Sequence, residues 1–76
     1  MNNTRRGLLK KAISLIDQAN QIVDIAMEQE QDCLDNMPEN LEGSDRYISM
    51  EDAIENMGDA ISSLEEARER IETAIQ

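Results

Sequence analysis

A chain of 76 residues with no histidine and a single cysteine leaves its seventeen Asp and Glu side chains to carry most of any chemistry it performs. Cys33 is the one thiol, and a nucleophilic or redox role needs a base or a positive environment that stabilises the thiolate. Its close sequence neighbours are Asp32 and Asp35, so it reads as a small buried hydrophobe. Carboxylates at helical spacing can build a metal centre inside a bundle, but such centres place Glu and Glu-x-x-His on inward faces. Here the acids occupy outward heptad positions, with Glu30 alone intruding on an apolar column, and Glu39, Glu42 and Asp45 lack the spacing of a calcium-binding loop. No catalytic, cofactor-binding or metal site is expected, and the chain reads as a protein that is not an enzyme.

What remains is the carboxylates acting as a surface. Asp24, Glu28, Asp35, Glu51, Glu55, Asp59, Glu65, Glu66 and Glu69 fall on outward helical positions. Along a narrow rod they would present a line of charge resembling phosphates, attractive to a basic channel on a partner protein in a salt-dependent way. The competing explanation is solubility alone. The net charge of −10 is unevenly placed: Arg5, Arg6, Lys10 and Lys11 precede every acid, and only Arg46, Arg68 and Arg70 follow. Direct nucleic-acid binding by such a body is disfavoured.

The elements that must position these groups are written in heptads. Met50–Ile54, Met57–Ile61, Leu64–Arg68 and Ile71–Ile75 repeat one pattern four times, each with Ala at the fourth place. In the first half Ala12, Ala19, Ala26 and Cys33 form a small column beside Leu8, Leu15, Ile22 and Leu9, Ile16, Val23. Period seven means a helix whose apolar stripe meets a constant partner. Pro38 disfavours helix at Met37, Gly43 frees a turn and Ser44 can cap the next helix. The spacing predicts one all-α domain over 1–76: helix 1 about 4–36 capped by Thr4, a loop 37–44, and helix 2 about 45–75. Folding back at residue 43 sets Cys33, Ala26, Ala19 and Ala12 opposite Ala53, Ala60, Ala67 and Ala74. The expected form is an antiparallel hairpin with an alanine seam, Leu41 plugging its loop end.

A short chain without Phe or Trp builds a thin core, and a single cysteine excludes an internal disulfide. With alanines at the seam, Leu9, Ile16, Val23, Ile54, Met57, Ile61 and Leu64 would need outside cover, which a homodimer forming a four-helix bundle would give. A groove on a different protein is the competing explanation. Arg68 interrupts the Ile54, Ile61, Ile75 column, either snorkelling toward Glu65 or Glu72 or meeting Glu30 or Asp17 of another helix. Gln29 and Glu30 interrupt helix 1, so the loop-proximal third should pack less tightly. No run is apolar enough to span a membrane or act as an export signal, and a lone cysteine suits a reducing cytoplasm.

The run Asn36-Met-Pro-Glu-Asn-Leu-Glu-Gly-Ser-Asp-Arg-Tyr47, followed by Met50-Glu-Asp-Ala-Ile and Ile61-Ser-Ser-Leu-Glu-Glu-Ala67, resembles small acidic helical proteins of phages and mobile elements of Gram-positive bacteria. In that group a Leu-Pro-Glu-Asn-Leu-Gln-like loop precedes Glu-Glu-Ala-Ile heptads; here Met37 and Glu42 replace its Leu and Gln. The resemblance covers roughly residues 28–75 and implies a bacterial cytoplasmic setting, with no assigned activity or cofactor. Together with the charge, it gives the expectation of a phage-encoded inhibitor whose acidic surface occupies a basic, nucleic-acid-reading host protein such as a restriction or CRISPR nuclease. The alternative is a coiled-coil dimerisation or adaptor module.

Overall fold

The computed structural model describes residues 1–76 as two long helices, α1 (Asn3–Asp35) and α2 (Asp45–Ile75), joined by a short 3-10 turn at Glu39–Leu41. They lie side by side in a rod of 59 × 15 × 13 Å. The ends follow from local chemistry. Asn2, not Thr4, caps α1: its backbone is extended and its Oδ1 accepts from the Arg5 N–H at 2.9 Å. The helix therefore starts two residues earlier than its threonine suggests, with Gly7 absorbed inside it. At the other end Asn36 closes α1 by donating both its backbone N–H and its side-chain amide to the Asp32 carbonyl. Ser44 caps α2 through its Oγ, which accepts from the Tyr47 N–H at 3.2 Å. Gly43 takes φ +79°, the one left-handed residue of the chain, and it makes the reversal possible.

The seam differs from the expected one by one heptad position. Side chains shielded on α1 include Leu9, Ile13, Ile16, Asn20, Val23, Met27, Glu30 and Leu34, spaced alternately by four and three residues. On α2 the matching series is Tyr47, Met50, Ile54, Met57, Ile61, Leu64, Arg68, Ile71 and Ile75. These are the two core positions of an antiparallel coiled coil. The bulky residues fill the space between the helices, and the alanines flank them: Ala26, Cys33, Ala60 and Ala74 are exposed, and Ala12, Ala19, Ala53 and Ala67 are half-buried. The physical reason is area, because closing a Leu/Ile/Met stripe removes far more apolar surface from water than closing an alanine stripe. The fold-back point nevertheless falls where expected, since the Asp17–Arg68 and Met27–Gly58 contacts are both symmetric about the Glu42–Gly43 junction.

Two packing expectations are overturned with it. Leu41 is 44% exposed and plugs nothing, because the turn's own backbone bonds, Leu41 N–H to Pro38 and Ser44 N–H to Leu41, hold it at the surface. The loop-proximal third contains the one buried residue, Met50 at 8% exposure, near where Leu34 ends the α1 stripe. Closure of the hairpin there covers Met50 more completely than the open rod covers its neighbours.

Candidate protein-binding faces

The two core positions of each heptad leave two flanks, and antiparallel pairing sets like flanks side by side. One flank pair is acidic. On α1 it carries Asp17, Asp24, Glu28 and Asp35, and on α2 Glu51, Glu55, Glu65, Glu69 and Glu72. A shallow open groove lined by Asp17, Asn20, Gln21, Asp24, Ile61 and Glu65 marks the line where these flanks meet. Of the nine acids expected to form a binding surface, the structure brings all but Asp59 and Glu66 to this face; those two lie on the back of α2, and all nine are exposed. Neighbouring carboxylates of each row stand three to ten residues apart, about 5 to 15 Å along the helix axis. The face is therefore a double row of carboxylates.

Two cations meet that face, the exposed Lys10 one heptad before Asp17 and Arg68 of α2. Arg68 sits in the seam, where its Nε donates to Asp17 Oδ1 of α1 at 2.7 Å, a second nitrogen reaches Asp17 Oδ2 at 3.3 Å, and Nη1 donates to Glu72. The hydrogen bond to Asp17, followed by the nearby carboxylate charges, raises the guanidinium above its ordinary value against the opposing effect of burial, so it stays charged. Of the four acids expected as alternative partners, Asp17 and Glu72 hold it while Glu65 and Glu30 do not, and Asp17 belongs to its own hairpin. A further tie joins the helix ends, the Arg6 Nε donating to the Ile75 carbonyl at 3.1 Å. Tyr47 lies at the loop end, where burial first, and then the charges of Glu51, Glu42 and Asp35, push its phenol upward.

The opposite flank pair is small and apolar. Ala12, Ala19, Ala26 and Cys33 of α1 face Ala53, Ala60, Ala67 and Ala74 of α2 along it. Beyond them on α1 stand Leu8, Leu15 and Ile22, exposed by 64, 55 and 66%, with Ile25 beside them at 54%. This row is the longest apolar line left open; Ile48, 47% exposed, lies apart from it on the acidic flank of α2, and Met1 and Leu41 lie at the ends of the rod. The residues assigned in the sequence to a dimer core, Leu9, Ile16, Val23, Ile54, Met57, Ile61 and Leu64, are instead half-buried in the seam of one hairpin. Periodicity alone could have flagged Leu8, Leu15 and Ile22, since they repeat as strictly as their neighbours.

Cys33 is exposed, correcting its reading as buried, because its column lies outside the seam. It borders a hollow formed by Asp32, Asn36, Met37, Pro38, Leu41 and Arg46. No three acidic or cysteine side chains converge in a geometry that could hold a metal ion, and no helix is long and apolar enough to cross a membrane. The class defined by these observations is an all-helical, antiparallel two-helix hairpin with one acidic and one apolar flank. No family model, no curated protein and no solved structure matches the chain.

Proposed function

We propose that this chain is a non-enzymatic protein-binding module whose acidic flank occupies a basic surface on a partner protein. The observation that carries the reading is the gathering of Asp24, Glu28, Asp35, Glu51, Glu55, Glu65 and Glu69 onto one exposed side of a rod. A basic channel that reads nucleic acid is the complementary surface, because the carboxylates of the two rows together fall about every 4 Å along the rod, a charge density comparable in scale to a phosphate strand. The sequence resemblance to phage and mobile-element proteins supports the narrower form, an inhibitor of a host nucleic-acid-binding or defence protein acting in the bacterial cytoplasm. The open Leu8, Leu15, Ile22 row favours a second reading, a dimerising adaptor, and a homodimer is compatible with both.

The test is capture of the partner from host lysate on immobilised protein at low and high salt, using two variants. Neutralising Asp24, Glu28, Glu55 and Glu65 to their amides should abolish capture. Neutralising Asp59 and Glu66, on the back of α2, should leave it nearly intact. Capture that resists salt and ignores both sets would refute the acidic reading and leave the adaptor.

A further inference from the structure

We infer that two copies of this chain associate through the outer stripe of α1, in antiparallel orientation, with Leu8, Leu15 and Ile22 of each seated against Cys33, Ala26 and Ala19 of the other. This deepens the dimer element of the functional reading and is independent of the acidic flank, which lies on the other side of the hairpin.

The stripe is a second heptad seam. Leu8, Ala12, Leu15, Ala19, Ile22, Ala26, Gln29 and Cys33 alternate by four and three residues, as the hairpin seam does, one residue out of phase with it. A helix carrying two such stripes about 100° apart is built to touch two helical neighbours, as each helix does in a four-helix bundle. The hairpin supplies one neighbour. On this side α2 contributes only alanines and the small polar residues Ser49, Asn56 and Ser63 ahead of Arg70, which leave the approach clear.

Area, shape and charge point to a second copy as the occupant. A compact folded chain of this mass exposes roughly 4,700 Å², whereas the hairpin exposes 5699 Å². The excess, about 1,000 Å² against that scaling, is enough to supply the about 800 Å² that each partner contributes to a standard interface. The stripe is self-complementary when antiparallel, because its large residues share one core position and its small ones the other. Every layer then pairs large with small, where parallel pairing would alternate crowded and empty layers. Charge selects the same orientation: Arg5 and Lys11 stand by the start of the stripe and Asp32 by its end. With Leu8 opposite Cys33 of the second copy, the exposed Lys11 falls beside Asp32 of that copy at both ends of the interface.

Sedimentation velocity of the full chain should give the mass of two chains at micromolar concentration. Leu15→Glu with Ile22→Glu should raise the dimer dissociation constant by more than roughly 100-fold, since each carboxylate would be buried against alanine without a partner. Both positions are more than half exposed in the hairpin, so circular dichroism should keep its helical signal. Orientation is read by mild oxidation. Leu8→Cys, with the native Cys33 retained, should give a covalent dimer cross-linked between position 8 and Cys33, residues about 37 Å apart within one chain. The unaltered chain should give none. A single-chain mass for the unaltered protein, a Cys33-to-Cys33 cross-link, or a dimer indifferent to the two glutamates would each overturn the proposal. Should the glutamate variant lose its helices, the cross-linking pattern alone decides.

Discussion

At the scale of single residues, the seam is interrupted where polar groups take core positions. Asn20 stands in the α1 series with its Oδ1 buried and without a hydrogen-bond partner, a cost of about 1–3 kcal/mol. Asn20→Leu should therefore raise stability by about 1–2 kcal/mol, measured by urea unfolding; a loss would mean that the amide serves the hairpin in another way. Arg68 differs because it has partners. Both it and Asp17 keep substantial exposure, 39% and 47% of their side chains, so Asp17→Asn should cost no more than about 1 kcal/mol. Tyr47 supplies a pH signature. Its phenol is raised in the fold by burial and by Glu51, Glu42 and Asp35, so the contribution from its neutral form is complete below the unfolded value near about pH 10. It is lost as pH rises through the higher folded value. Phenolate absorbance of this sole aromatic residue should titrate at higher pH in the folded chain than in urea, and thermal stability should fall over the same interval.

At the scale of the elements, the three glycines have opposite signs. Gly58 lies inside α2, and a Cβ there would meet only Met27 Sδ at 3.9 Å, an ordinary contact. Gly58→Ala should thus stabilise the protein by about 0.5–1 kcal/mol through helix propensity. Gly7, with open space around it, should behave similarly. Gly43 holds φ +79° in the reversal, and Gly43→Ala should destabilise by about 1 kcal/mol or more. Equal midpoints in chemical denaturation for the Gly43 and Gly58 variants would contradict this division between turn and helix. The caps act on the same scale: Asn2 and Ser44 each satisfy an orphan N–H, whose loss typically costs about 1 kcal/mol.

For the whole molecule, shape and charge work against each other. A rod of 59 × 15 × 13 Å has little interior, and its net charge of −10 meets ion pairs at only Asp17 and Glu72 with Arg68, and Glu66 with Arg70. Repulsion among the remaining carboxylates outweighs these exposed pairs, so sodium chloride should raise the melting temperature by screening. A midpoint that falls with salt in a thermal melt followed by circular dichroism would show that attraction dominates. The same salt should weaken capture of a basic partner, so stability and binding are expected to respond in opposite directions.

Period-seven columns, Pro38, Gly43 and Ser44 were sufficient in the sequence to determine two helices, their connection and the point of reversal, because these depend on backbone preferences local to a few residues. The outward placement of the acids was legible for the same reason. Which column becomes the seam was not, since Ala19, Ile16 and Leu15 repeat with equal regularity on neighbouring lines of one helix. Only the tertiary structure decided between them, by closing the columns that remove most apolar surface from water. That one choice placed the alanines on a flank, exposed Cys33, put Arg68 against Asp17, and gathered nine of the seventeen carboxylates on the side away from the open leucine row.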